Sequence, residues 1–277
     1  MAKGIGLIGN FKGKVGNMVG YKNSASNTAN TQGIRVYQPI VKNPKTAAQA
    51  EQRAKLAPIN ATYRALKMVI DRGNEGLPYG NKSRLAWLKQ AFQAEYMPWI
   101  EKGKNVVKPV VCQLTKGSLA GLQYQVADEE LLIAASGVSS ETSVDTIGEL
   151  STALLNAYNS LKEGDQITIV TVGAVSNNMI CGVMSFILDK TSSESTNGFS
   201  TDSDSIKFLG VTGTCAGAVI VSREGTNGEH LRSSSDLFLE LSQRTLAPYN
   251  ATSKTAAIES YMNSAAVNSD WDEESIQ

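Results

Sequence analysis

The feature that most constrains the fold is a change in the spacing of apolar residues near Val106. Before it, apolar residues recur three or four positions apart, as Leu85, Leu88 and Phe92 do, which is typical of helices. After it, short apolar runs such as VVKPVVCQL and QITIVTVGAV alternate with turn residues, which is typical of strands. The sequence therefore predicts an α+β chain in which helices precede a β-rich domain.

The first 45 residues predict a glycine-rich β-ribbon or extended arm. Six glycines fall within the first 20 residues, and the runs GLIGNF, GNMVGY and GIRVYQP indicate short strands between Gly and Asn turns. The stretch NSASNTANTQ is small and polar, which suits an exposed loop. We predict that Gly13, Gly16 and Gly20 serve the tight turns of this ribbon.

Residues 46–105 predict a small basic helical module. Thr46 is the predicted N-cap of a helix over AAQAEQRAKLA, and we expect Pro58 to break or kink that helix before a second one over about residues 59–72. The loop GNEGLPYGN separates the second helix from a third over LAWLKQAFQAEYM.

Residues 106–250 predict a β-sandwich of immunoglobulin-like kind with one inserted helix. Asp128-Glu129 is a predicted hairpin turn within it. The inserted helix is expected over residues 146–163, with Gly164 as the glycine that ends it. Residues 251–277 predict a short helix followed by the acidic tail DWDEESIQ.

The charge layout is strongly asymmetric although the net charge is zero. Residues 1–110 hold 18 lysines and arginines against 5 aspartates and glutamates, and residues 111–277 hold 8 against 21. We expect the basic part to meet an acidic surface, which is nucleic acid, the acidic part of another copy, or the acidic part of the same molecule.

The glycines do not form a nucleotide-binding loop. Gly13-Lys14 is followed by Val15, where a P-loop requires a hydroxyl residue, and no helix pattern follows. The spacing G-x-G-x-x-G at residues 4–9 has no strand before it, so the dinucleotide fingerprint fails as well.

No other catalytic or metal-binding pattern emerges. His230 is the one histidine and no nucleophile motif accompanies it, while Cys112, Cys181 and Cys215 are widely spaced among apolar or small residues, which predicts buried thiols in strands. The acidic clusters lack a calcium-loop pattern. We therefore expect no enzyme, no cofactor and no metal. No apolar stretch is long enough to span a membrane and no secretory signal is expected.

Several runs carry a resemblance to a known family. GNFKGKVGNMVGYK, NPKTAAQAEQRAKLAPI, KEGDQITIVTV and AVIVSREGTNGEHLRSS resemble an uncharacterised family of Bacteroidota and their gut phages, in which a GKVGxxVGY opening precedes a helix and an immunoglobulin-like β-domain. The family carries no catalytic residues to transfer. The resemblance implies a virion or assembly role, with the protein in the virion or the cytoplasm of the bacterial host.

The leading hypothesis is a phage structural protein whose basic arm docks on acidic surfaces of neighbouring subunits or of other virion proteins. The first alternative is a nucleic-acid-binding or packaging protein that uses residues 1–110, with non-specific phosphate contacts. The second is a host-side interaction protein with an immunoglobulin-like domain. The candidate contact residues are Lys12, Lys14, Lys22, Arg35, Lys42, Lys45, Arg53 and Lys55.

Overall fold

The computed structural model describes residues 13–15, 17–22, 32–36, 46–138, 144–196, 198–226 and 228–263. Its contacts divide the chain into two units, Met1–Pro44 and Lys45–Gln277. The structure is of mixed α+β type, with antiparallel sheets in both units.

The first unit contains a three-stranded antiparallel sheet in the order β1-β2-β3. Its strands are β1 (Gly13–Val15), β2 (Met18–Lys22) and β3 (Gln32–Val36). The runs GNMVGY and GIRVYQP thus contain strands as predicted, whereas the predicted strand GLIGNF and most of the loop NSASNTANTQ lie outside the described residues.

The second unit begins with three helices, α1 (Ala47–Ala65), α2 (Lys67–Ile70) and α3 (Asn81–Ala91). Thr46 is confirmed as the N-cap of α1, since its hydroxyl accepts a hydrogen bond from the backbone N–H of Gln49 at 3.3 Å. The prediction that Pro58 breaks this helix is wrong. Proline costs about 3 kcal/mol inside a helix, and burial of one continuous face, with Pro58 within it, offsets that cost.

The remaining elements are mostly strands, and they form the larger part of the second unit. In chain order they are β4 (Gln113–Thr115), β5 (Tyr124–Ala127), β6 (Glu130–Ala134), α4 (Ile147–Ala157), β7 (Gln166–Val175), β8 (Asn178–Ile187), β9 (Phe199–Asp202), β10 (Ser205–Leu209), β11 (Thr214–Glu224), β12 (His230–Arg232), β13 (Ser235–Asp236), β14 (Phe238–Leu239), α5 (Leu241–Arg244), a 3₁₀ turn (Ala247–Tyr249) and α6 (Ala251–Asn263).

The strands of the second unit form two main antiparallel sheets. One has the order β12-β11-β7-β8, with β14 also paired to β11, and the other has the order β5-β6-β10-β9. Strands β13 and β4 form a separate pair. The Asp128-Glu129 turn joins β5 to β6 as predicted, and both residues have positive φ, 51° and 64°, as a two-residue type I′ hairpin turn requires.

Strands β7 and β11 are buried on both faces, because each face of their sheet packs against a different layer. On one face Val170, Val172 and Ala218 belong to a core shared with α1 to α3, which includes Ile59 and Trp87. Residues 46–105 therefore share a core with the sheet and have no separate one.

The opposite face of this sheet contributes to a second core, with the four-stranded sheet and α4. Its members include Ile167, Ile169, Val219, Leu131, Ile133, Ile206, Leu150 and Leu154. Two sheets with a shared apolar interior are compatible with a β-sandwich, and α4 is inserted between β6 and β7 as the sequence predicts.

Helix α4 ends earlier than predicted. A capping box formed by Thr146 and Glu149 starts it, but Tyr158 already has the extended angles φ −126° and ψ 102°. The Tyr158 hydroxyl donates to the carbonyl of Ala134 at 2.6 Å, which holds this residue against the end of β6. Gly164, predicted to end the helix, instead has φ 91° in the turn before β7.

Within the described part of the chain, no helix combines the length and the apolar character needed to cross a bilayer.

Replacement of Arg223 should destabilise the second unit strongly. Its guanidinium donates two hydrogen bonds of 2.6 Å to the carboxylate of Asp165, whose side chain is 1% exposed. Arg223→Leu leaves that carboxylate buried without its cation, so we expect a loss of about 3–5 kcal/mol in the free energy of unfolding, measured by urea denaturation.

The matched control is Lys207→Leu, which breaks the more exposed ion pair between Lys207 and Asp202. That change should cost less than about 1 kcal/mol. Equal losses in the two variants would contradict a special role for the Arg223–Asp165 pair.

Candidate functional site

Three of the predicted basic contacts lie in the described strands of the first unit: Lys14 in β1, Lys22 in β2 and Arg35 in β3. Lys14 and Arg35 are both register partners of Val19, so the strand pairing places two basic residues in one row across the sheet. Lys12, Gly16, Lys42 and Lys45 lie outside the described residues.

Two of the three predicted turn glycines occupy strand positions. Gly13 and Gly20 are register partners across β1 and β2, so they lie within strands and not in a turn.

The other two predicted contacts, Arg53 and Lys55, lie half-buried on α1 in the second unit. The ammonium group of Lys55 is 3.3 Å from the carboxylate of Glu51, which also pairs with Lys254 at 3.0 Å. The bond from Lys254 and then that from Lys55 lower the pKa of Glu51 despite its partial burial. Lys55 is therefore already paired within its own unit.

The most concentrated negative charge in the described sheets is at the β5–β6 hairpin. Asp128, Glu129 and Glu130 are consecutive, and the first two are exposed at the turn. One Glu129 oxygen accepts from the backbone N–H of Gly213 at 3.2 Å. This charge acts on Lys207, whose pKa is raised mainly by its bond to Asp202 and slightly by Glu130 and Asp128. We call residues 128–130 the acidic hairpin.

The described residues contain no cluster of three or more His, Cys, Asp or Glu side chains that could hold a metal ion. His230 is exposed at the start of β12. The nearby buried hydroxyls serve the backbone, since Ser233 accepts from the N–H of Val221 at 2.9 Å and Ser235 donates to the carbonyl of Val219 at 2.6 Å. These serines are therefore engaged in holding the strands together.

The three cysteines are free thiols, and the prediction that they are buried in strands holds for Cys215, in part for Cys181 and not for Cys112. Cys215 is buried in β11, whereas Cys181 in β8 and Cys112 just before β4 are half-buried. Burial raises the pKa of Cys112 to about 12 and that of Cys181 to about 11, and it also raises the pKa of Cys215.

A cleft of about 710 Å³ opens where the five-stranded sheet extends beyond the helices that cover it. Gln166 of β7, Ser222 of β11 and Arg232 of β12 are register partners and form a row along its floor. The loop over residues 72–79, which follows α2, forms one wall, and Glu224 and His230 line the far end.

The wall of this cleft is held in place by Glu75. One of its carboxylate oxygens accepts from the backbone N–H groups of Ser118 at 2.9 Å and Arg232 at 3.0 Å, and the other accepts from the Ser118 hydroxyl at 2.8 Å. These bonds lower the pKa of Glu75, with the bond from the Arg232 N–H as the largest cause.

The sequence analysis did not find this cleft. Arg72 and Arg232 come from elements far apart in the chain, and the turn residues of GNEGLPYGN indicate a loop without indicating what it lies against. No local spacing connects the two arginines. Strand register places Arg232 in the floor, and the backbone bonds of Lys116 and the carboxylate of Glu75 hold the loop that begins at Arg72 beside it.

Comparison of the chain with known proteins identified no relative. No protein-family model, no curated protein and no solved structure matches the chain.

The raised thiol pKa values predict slow thiol chemistry in the folded protein. A thiolate is the reactive form, and pKa values of about 11 and 12 for Cys181 and Cys112 lie well above the roughly 8.5 of a free thiol. At pH 8 we expect labelling with a disulfide reagent to be about a hundredfold slower in the folded than in the urea-unfolded protein.

The same thiols link stability to alkaline pH. Their folded-state pKa values are raised, so their contribution to stability is present below about pH 8.5 and is lost as the pH rises toward 11 to 12. Urea titrations at pH 8 and pH 10 should therefore show lower stability at pH 10. Rapid labelling of Cys181 at pH 8, or no loss at pH 10, would contradict this.

Proposed function

We propose that this protein is a non-enzymatic structural or assembly component of a phage particle, in which the basic N-terminal arm of one copy docks on an acidic surface of its neighbour. The arm corresponds to Met1–Pro44, and the docking domain, an immunoglobulin-like sandwich with its helices, corresponds to Lys45–Gln277. The phage setting rests on the resemblance of the glycine-rich opening and the later runs.

The observation that carries the proposal is how charge divides between the two units. Met1–Pro44 holds six lysines and arginines and no aspartate or glutamate, whereas Lys45–Gln277 holds the remaining 20 cations and all 26 acidic residues. One unit is thus purely basic and the other is net acidic, so two copies attract each other through unlike units. Such a head-to-tail contact repeats from copy to copy and builds rings or filaments.

The acidic hairpin is the docking point that we propose for the arm. Asp128 and Glu130 have no carboxylate-cation pair within 4 Å among the described residues, and the hairpin tip is exposed. The row that contains Lys14 and Arg35 supplies two basic residues, one on each outer strand of the sheet with Val19 of β2 between them. Exposed pairs of this kind contribute about 0.2–1 kcal/mol each, so several are needed for a stable contact.

Pairing of the cations in the second unit favours protein docking over nucleic-acid packaging. Lys55 and Lys254 both bind Glu51, and Lys104 binds Glu101 at 2.7 Å. These charges are partly neutralised before any phosphate approaches, whereas the six cations of the arm lie in a unit that has no acidic residue.

The test is light scattering after size exclusion of the full chain, at about 0.1 M and 1 M salt. The Debye length falls from about 10 Å to about 3 Å between these conditions, so we expect an assembly that dissociates at high salt. Lys14→Gln with Arg35→Gln, and separately Asp128→Asn with Glu130→Gln, should each weaken assembly about three- to tenfold.

The matched control is Lys67→Gln with Lys89→Gln, which removes the same charge from exposed helix positions of the second unit. It should leave assembly unchanged. The proposal fails if the chain stays monomeric at high concentration, or if the control pair has the same effect as the arm pair. A monomer that enlarges only with added DNA would replace it with the packaging function.

A further inference from the structure

We propose that the cleft between the 72–79 loop and the floor row of Gln166, Ser222 and Arg232 binds the oxyanion group of a small molecule, a phosphate or a carboxylate, between the guanidinium groups of Arg72 and Arg232. This site goes beyond the assembly role proposed above, since it involves neither the arm nor the acidic hairpin.

Neither guanidinium group has a carboxylate partner within 4 Å among the described residues, although the charge of Glu75 acts on Arg232. Neither Arg72 nor Arg232 makes an ion pair or a side-chain hydrogen bond to another described residue; the Arg72 guanidinium only lies over the ring of Tyr79, 5.2 Å from its centroid. Burial and then the neighbouring charge of Arg72 lower the pKa of Arg232, although Glu75 opposes this. Two like charges therefore lie near each other, with Arg232 half-buried and Arg72 exposed, an arrangement that a bound anion stabilises.

The acidic groups of the cleft do not pair with the two guanidinium groups within 4 Å. Both oxygens of Glu75 are occupied by Ser118 and by the backbone of Arg232. Glu224 is exposed at the far end, opposite His230 in the β11–β12 pairing. The third arginine of the lining, Arg223, donates from Nε and from one terminal nitrogen to the carboxylate of Asp165.

The side chains that line the cleft fit a polar small molecule that carries an oxyanion group. Each arginine presents a planar fork of N–H donors, which matches the oxygens of a phosphate or a carboxylate. Gln166, Ser222 and the Tyr79 hydroxyl add neutral hydrogen-bonding groups around the two charges. The volume of about 710 Å³ is in the range of small-molecule sites and far exceeds that of one inorganic ion.

The backbone around the arginines is closely packed, so the site is preformed. A Cβ atom added to Gly117 would lie 2.1 Å from the carbonyl oxygen of Arg232, and one added to Gly73 would lie 2.5 Å from that of Leu114. Backbone bonds of 2.9 Å join Lys116 to Gly73 and to Glu75. The wall is thus fixed to the floor, which limits the entropy cost of binding.

The experiment is isothermal titration calorimetry on the full chain, with inorganic phosphate, pyrophosphate and citrate at constant ionic strength. We expect saturable binding of one anion per chain. Arg72→Gln and Arg232→Gln should each weaken it at least about tenfold, because each removes charge-assisted hydrogen bonds. Arg64→Gln, an equal loss of charge at an exposed position on α1, is the control and should bind like the unchanged chain.

A second readout separates binding from a structural role. In anion-free buffer Arg72→Gln should be at least as stable to urea as the unchanged chain, because it removes a like-charge repulsion. Added pyrophosphate should then stabilise the unchanged chain more than this variant.

Binding of phosphate and pyrophosphate alone assigns a phosphorylated ligand, and binding of citrate alone assigns a carboxylate; both support the site. The inference is overturned if none of the three anions gives saturable heat, or if both arginine variants bind as well as the control. Assembly is followed separately by light scattering, so failure of one proposal is distinguishable from failure of the other.

Discussion

The pairing of β7 with β11 is the interaction on which the second unit depends. The two strands are register partners from Gln166 and Ser222 to Gly173 and Thr214, and they carry apolar residues on both faces. Each face supplies half of a core, one with the helices and one with the second sheet and α4. Loss of this pairing would expose both cores at once, so we expect the second unit to unfold in one cooperative transition.

The same pairing also determines where function can arise. The core that the sheet shares with the helices ends near Ile220. Beyond this residue β7 and β11 continue to the polar positions Gln166 and Ser222. A strand that extends past its covering layer presents a polar row to solvent, and here the 72–79 loop rises beside that row to form the arginine cleft. The hydrogen-bonded pair of Arg223 and Asp165 holds the turn before β7 in place. The floor of the cleft, which begins at Gln166, is therefore held as rigidly as the core.

The sequence predicted the features that depend on interactions between residues close together in the chain. The α+β order, the Thr46 cap and the Asp128-Glu129 turn follow from side-chain spacing and from backbone preferences within a few residues. Continuation of α1 through Pro58 and the early end of α4 at Ala157 were not predictable in this way, because packing of a buried face and the hydrogen bond from Tyr158 decide them.

The two candidate sites also differ in how far they could be predicted from the sequence. The charge asymmetry is a property of composition, so the basic first unit was visible in the sequence, and it is the basis of the assembly proposal. The ion pairs around Lys55 were only partly predictable. Glu51 lies four residues before Lys55 on the same helix, whereas Lys254 reaches Glu51 because α6 packs against α1. The arginine cleft depends on strand register across most of the chain, which no local pattern encodes.

The proposed assembly requires the arm of one copy to contact the acidic surface of another. Zero-length carbodiimide cross-linking of an equal mixture of ¹⁴N- and ¹⁵N-labelled chains, followed by mass spectrometry, detects this contact, since only contacts between copies give peptides of mixed label. We expect mixed-label links between Lys12, Lys14 or Lys22 and the carboxylates of residues 128–130. Links from these lysines that are confined to single-label peptides, or that reach other acidic residues only, would contradict it.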